Sequence, residues 1–344
     1  MANHYSPTGE NPYAWDLQPW ERTELKPYER FYMEYVRKLT QQLTIFGGLI
    51  SFLFFYLIVF RTAGELRKYR PIFLICSLTD LFFYGINTFV EIKSKMKDGV
   101  FMLRLEGPAQ RYSREVQLYA VSVFVATLGM AITVLPAQFY YRYYTLTRGK
   151  PLPIWKTMFI FSISYMVGVP MAILAYYSYG FGAPRKGLNY GQLWYPDTPL
   201  PLVFYADTRD PVMMLYFGWG GTVITVAYMV LLYIAYRTLK HFNMQAQAYS
   251  RKAKSMQKQL TWFLIIQSVI PIFVSSGPNV FLVITAFLRI DAGILTTIVV
   301  DFMGLLPVCN PFLSILVIKP YRRIVGGVFK KQKVPAFSVT SVSR

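Results

Sequence analysis

Seven long apolar runs divide the chain: Leu43 to Phe60, Pro71 to Val90, Val116 to Tyr141, Thr157 to Tyr179, Pro211 to Tyr236, Leu260 to Leu288, and Ala292 to Ile318. A helix needs about 20 residues to cross a hydrocarbon core of about 30 Å, which is the length of these runs. The only charged side chains inside them are Asp80 and Asp301. In lipid every backbone polar group must be bonded within the protein, and a helix does this inside one segment. The last two runs are separated only by Arg289, Ile290 and Asp291. A break is expected there, because one helix over 260–318 would far exceed a bilayer. The expected fold is an all-α membrane protein, a bundle of seven transmembrane helices.

Composition agrees. Hydrophobic residues make up 54% of the 344 and charged residues 15%, against about 25% charged in soluble domains. A net charge of +19 would suit a nucleic-acid surface, but its distribution excludes one. The segments 61–70, 142–156, 237–259 and the tail from Lys319 carry +3, +4, +6 and +7. The alternate segments 1–41, 91–115, 180–210 and 289–291 carry −1, +2, zero and zero. Basic loops stay in the cytoplasm, so the N-terminus is expected outside and the C-terminus inside. The chain then divides into an extracellular N-terminal segment, 1–41, a seven-transmembrane domain, 42–318, and a cytoplasmic tail, 319–344. The first 41 residues lack the apolar core and cleavage site of a secretory signal, so the first span is expected to serve as the targeting signal. The basic loops are expected to meet anionic inner-leaflet lipid.

The stretch PYERFYMEYVRKLTQQL, 27–43, has the helix formers to lead into the first span. The outer connection 180–210, rich in Gly, Pro and aromatics, is expected to fold back over the bundle, as a ligand screen or a simple cap. The connection 237–259 lacks Pro and Gly and is expected to extend the fifth and sixth helices. No internal repeat of the kind common in carriers is visible.

Asp80 and Asp301 each lie nine residues into a span. A charge at that depth must face the interior with a partner or water. Asp80 reads as part of an ion site or a switching network, or as a protonated structural hydrogen-bonding group, and Asp301 reads as lining a ligand cavity. Prolines 136, 170, 271, 278, 307 and 311 free carbonyls within the spans and permit kinks. No catalytic residues, metal site or cofactor are expected: the motifs HExxH, GxSxG and the P-loop are absent, and Cys76 and Cys309 both lie in spans. Arg142 closes the third span among Tyr140, Tyr141, Tyr143 and Tyr144. It reads either as an interfacial anchor whose guanidinium reaches water or a carboxylate, or as a switch residue. Depth and side alone suggest pocket candidates Tyr119, Phe124, Tyr216, Trp219, Ser275, Asn279, Thr296 and Asp301.

Three separated stretches carry a family resemblance: QFYYRYY, 138–144, QKQLTWFLIIQSVIP, 257–271, and PVCNPFLSILVIKPYRR, 307–323. The chain resembles the nematode serpentine chemoreceptors of the Str superfamily, which are G protein-coupled receptors. The resemblance implies a non-enzymatic sensory receptor in the plasma membrane of a sensory cilium. Its partners would be a small-molecule ligand such as an odorant or pheromone, a heterotrimeric G protein and membrane lipid. Arg142 stands where rhodopsin-like receptors place the arginine of Asp-Arg-Tyr, with Tyr141 in place of the aspartate. Asn310-Pro311 resembles the start of Asn-Pro-x-x-Tyr, with Ser314 in place of the tyrosine. Asp80 resembles the second-span carboxylate, and the outer-loop disulfide is absent. By this reading Arg142, Tyr143, Asp80, Asn310, Pro311, Pro271, Arg237 and Lys258 serve activation and coupling. The alternatives are a transporter or channel with a path lined by Asp80 and Asp301, and a structural or trafficking membrane protein.

Overall fold

The structure, a computed structural model, describes residues 27–97, 99–182, 202–245, 262, 265–266, 269–270, 272–290 and 292–331. Lys258, Pro271, most of the 180–210 lid and the far half of the 237–259 connection lie outside the described residues, as does the side chain of Ser275.

Every apolar run forms helix where it is described. A short helix α1 (Pro27–Phe31) and a π turn (Tyr32–Val36) lead into α2 (Arg37–Arg61), as expected for that stretch. Then come α3 (Arg70–Val90), α4 (Arg114–Arg148), the pair α5 (Ile154–Met166) and α6 (Gly168–Phe181), and α7 (Pro211–Gln245). A second π turn (Ile272–Ser276) precedes α8 (Gly277–Phe287), followed by α9 (Leu295–Met303), α10 (Leu306–Val317) and α11 (Lys319–Lys331). Five helical segments are long and apolar enough to cross a membrane, and α9 with α10, bent by 44°, makes a sixth if taken as one span. The described residues therefore bear out five or six of the seven expected spans. Ile272–Phe287 is a shorter apolar helix.

Proline accounts for the interruptions. A proline removes the hydrogen bond to the carbonyl four residues back and crowds it. Pro170 stands four residues after Met166, where α5 ends; Pro307 stands four after Met303, where α9 ends. Pro278 follows the second π turn. Pro136, by contrast, sits inside an unbroken α4.

The main departure from an all-helical expectation is a three-stranded antiparallel sheet, β1 (Ile92–Lys97), β2 (Val100–Leu105) and β3 (Phe204–Asp207). β1 and β2 form a hairpin whose sequence, Lys97-Asp98-Gly99-Val100, carries an Asp-Gly turn signal. Gly99 has φ 76° and its amide carbonyl accepts from the Thr208 N–H at 2.9 Å; a Cβ there would lie 2.6 Å from the Thr208 hydroxyl oxygen. β3 pairs with β2, Val100 opposite Asp207, so the described part of the lid does fold back. The sheet is buried and closes one end of the bundle. Thr297 Oγ1 of α9 donates to the Ser94 carbonyl of β1 at 2.7 Å, and Thr285 Oγ1 of α8 to Met96 Sδ at 3.4 Å.

Side-chain bonds sort the connections into two ends. At the sheet end, the α1–α2 lead-in, the 91–113 hairpin region and residues 202–210 meet. At the other end Thr62 and Tyr321 hydroxyls bond at 2.7 Å, and Tyr141 Oη donates to the Lys68 carbonyl at 2.7 Å. This division matches the alternation of charge in the sequence, with the described parts of the basic connections together at the second end. Between the ends, α4 is buried along most of its length, while the other spanning helices expose large apolar side chains such as Phe46, Phe52, Phe82, Phe159 and Leu232. That exterior needs an apolar surround.

Candidate functional site

Where α4, α6, α7 and α8 meet they leave a partly open cleft of about 160 Å3. Its walls are almost wholly apolar: Leu128 and Ile132 of α4, Met171 of α6, Phe217 and Val223 of α7, and Val283 of α8. Glycines make the room. Gly129, Gly220 and Gly221 line it, and a Cβ on Gly220 would meet nothing nearer than the Met171 methyl at 3.6 Å. Polar atoms are few. Thr225 spends its hydroxyl on the Gly221 carbonyl at 2.8 Å. Tyr216 and Asn279 also line the cleft, and among the described residues neither has a side-chain hydrogen bond. A shaped apolar cavity with two unspent polar groups suits a small, mainly apolar ligand bearing one or two hydrogen-bonding atoms.

Only Tyr216 and Asn279 of the sequence-based pocket candidates line this cleft. Tyr119 is exposed and stacks on Tyr176, ring centroids 5.1 Å apart. Phe124 is buried against Phe83. Trp219 faces outward, its Nε1 donating to the Val167 carbonyl at the α5–α6 break. Thr296 is fully buried next to Thr297, which bonds the sheet. The sheet fills the end of the bundle where those candidates were expected to meet a ligand, so the open space lies deeper. The Phe217-Gly218-Trp219-Gly220-Gly221 run was the available sequence signal, since three glycines in a span leave a gap.

Asp301 belongs to a different place. It lines a cleft of about 110 Å3 between α2, α3 and α9 with Gln41, Asn87 and Glu91. Tyr32 Oη donates to Asp301 Oδ2 at 2.8 Å, and Gln41 bonds Glu91. Burial, with the Asp301 carboxylate, pushes the Tyr32 hydroxyl above the usual phenol range, so it stays a donor. The π turn, in which the Arg37 N–H bonds the Tyr32 carbonyl five residues back, brings both side chains inward. Arg37 Nη2 meets Glu106 Oε2 at 2.8 Å, Lys93 Nζ meets Glu106 Oε1 at 3.2 Å, and Arg104 Nη1 lies 3.8 Å from the same oxygen. Lys93 and Arg104 stand directly opposite each other in the β1–β2 ladder. That arrangement of like charges is unfavourable unless an anion bridges it, and Glu106 is that anion. None of these residues except Asp301 was singled out from sequence.

The predicted switch residues gather in two groups. Asn310 Nδ2 donates to Asp80 Oδ1 at 3.0 Å, both residues buried, and Ser314 Oγ returns to the Asn310 carbonyl at 2.8 Å. Pro311 is buried within α10. At the basic end Arg142 is 4% exposed, so its guanidinium does not reach out to water, one of the two destinations that the anchoring reading gave it; it lies within electrostatic reach of Tyr69. Tyr141 is buried too, its ring 6.4 Å from Tyr69, and is core rather than interfacial. Arg237 Nη2 of α7 donates to Tyr143 Oη of α4 at 3.4 Å. The structure thus joins Arg142, Tyr143 and Arg237 at one end.

Residues 38–327 match the family model described as serpentine type 7TM GPCR chemoreceptor Srd. Similar relatives include serpentine receptor class delta-19 of Caenorhabditis elegans, 21% identical over 87% of this chain and 90% of the relative. Serpentine receptor class r-10 of the same organism is 22% identical over 77% and 83%. Among solved structures, squid rhodopsin superposes with a TM-score of 0.60 at 14% identity, covering 93% of this chain and 91% of that one; this likeness establishes the bundle fold.

Proposed function

The chain belongs to the serpentine type 7TM GPCR chemoreceptor Srd family and is a multi-pass membrane protein with a sensory-receptor role, and from that premise we propose that it binds a small, largely apolar ligand in the α4–α6–α7–α8 cleft and activates a heterotrimeric G protein at its basic end. The observation that carries this reading is that α4 serves both places. Leu128 and Ile132 line the cleft, and Arg142 sits on the same helix 14 residues beyond Leu128, about 21 Å along a rigid rod. A ligand that prefers a minor arrangement of α4 against α7 and α8 shifts the population toward it. At the far end the Arg237–Tyr143 contact between α7 and α4 would then break or form, changing the surface offered by Arg142 and its neighbours. Ligand and G protein affinities would be coupled reciprocally. The positive-inside rule supports a cytoplasmic basic end with the sheet outside, and the chemoreceptor family supports the plasma membrane of a sensory cilium as the site.

The test is nucleotide exchange on G proteins co-expressed with the full chain during a screen of volatile and water-soluble small molecules. Arg142→Ala is expected to lose ligand-evoked exchange with surface expression and ligand binding intact. Unchanged exchange in that variant overturns the coupling role, and a ligand-evoked current without any G protein overturns the receptor reading in favour of a channel.

A further inference from the structure

A second apolar cleft lies at the basic end and has no part in the receptor reading. It spans about 540 Å3 between α4, α5 and α7, walled by Pro136, Tyr140, Phe159, Ile163 and Ile234. Trp155, Phe159 and Ile163 on its rim are all more than half exposed; in a membrane that rim faces lipid. The cleft exists because the chain reverses tightly between α4 and α5. Gly149 takes φ 66°, Pro151 and Pro153 stiffen the return, and buried Leu152 forms the floor.

Its polar feature is at one end. Lys156, in the first turn of α5, lines the cleft and holds its ammonium 5.1 Å from the Trp155 ring. It has no carboxylate partner among the described residues. The connection 142–156 contributes four cations and no acid. Ile163 is seven residues further along, about 10 Å deeper into the hydrocarbon. We propose that this cleft binds an anionic phospholipid, its phosphate at Lys156 and one acyl chain along Phe159, Ile163 and the α4–α7 wall. Charge fixes the headgroup class: a cation at headgroup depth with no internal counter-ion attracts acidic lipid, and the long apolar wall excludes a water-soluble anion as the occupant.

The experiment uses the full chain in phosphatidylcholine vesicles containing lipid with brominated acyl chains, either phosphatidylglycerol or phosphatidylcholine. Bromine quenches tryptophan on contact, and the difference from Trp155→Phe isolates the signal of the cleft. Quenching of Trp155 by the brominated phosphatidylglycerol is expected at about a 5-fold lower mole fraction, the factor corresponding to about 1 kcal/mol per basic residue near an anionic surface. Lys156→Glu is expected to abolish the preference, while Lys156→Arg and Lys150→Glu keep it. Equal quenching of Trp155 by the two headgroups overturns the proposal even if the Lys156 and Lys150 variants fail to fold. So does a Lys150→Glu effect as large as that of Lys156→Glu, which would mean diffuse surface attraction, or stronger quenching by a brominated sterol than by either phospholipid.

Discussion

Glu106→Gln removes the one carboxylate that bridges three buried cations at the sheet end. Its contacts at 2.8, 3.2 and 3.8 Å are each worth roughly 4–6 kcal/mol of attraction at an effective dielectric of about 20, offset by desolvation and by repulsion among the cations. Breaking a buried pair from one side costs about 3–5 kcal/mol. Glu106 is 24% exposed, so the low end applies, about 3 kcal/mol near neutral pH. The loss should depend on pH through Lys93. Burial lowers the Lys93 pKa below the ordinary lysine range, with Glu106 pulling the other way, so the variant lowers it further. A base whose folded pKa lies below its unfolded value binds its proton more readily when unfolded. Stability therefore rises with pH between the folded and unfolded values. In Glu106→Gln that rise starts at a lower pH, so the deficit against wild type should shrink as the pH climbs toward the ordinary lysine value. Unfolding by dodecyl sulfate in mixed micelles measures this, with the native thiols of Cys76 and Cys309 as reporters. A deficit under about 1 kcal/mol, or one that grows with pH, refutes Glu106 as the clamp.

Three further outcomes are expected. Gly220→Phe places a ring in the α4–α6–α7–α8 cleft and should reduce ligand potency at least about 10-fold, since a filled pocket forfeits the apolar contact a ligand would make; radioligand or dose-response curves decide, and unchanged potency moves the ligand elsewhere. Tyr321→Phe deletes the 2.7 Å bond to Thr62 and keeps the edge contact with Phe54. It should cost about 1 kcal/mol and speed amide exchange across α11; unaltered exchange would mean that ring packing alone docks the helix. Tags on the two termini should label from opposite faces of intact cells, and labelling from the same face rejects the orientation.

The spans were legible because hydrophobic length has one solution in lipid, and the prolines at 170 and 307 marked their breaks in advance. Asp80 and Asn310 were also legible, because a polar side chain in a run of apolar ones must find another. The hairpin was missed although Asp98-Gly99 announced a turn; its strands are short, β1 is basic at alternate positions, and a connection read only for charge hides them. The pocket candidates fared least well. Depth and side place a residue on a helix but leave its rotation open, and Tyr119 and Trp219 both turned outward.

Sequence alone determined the medium, the helices and the sorting of basic from neutral connections, all of which follow from local composition against the cost of an unpaired charge or amide in oil. Tertiary packing decided what lies between the helices. Rotation of α4, the sheet closing one end, the glycine-made gap beside α7 and the clustering of Arg37, Lys93 and Arg104 around Glu106 each depend on residues far apart in the chain meeting in space, and no local pattern encodes such a meeting.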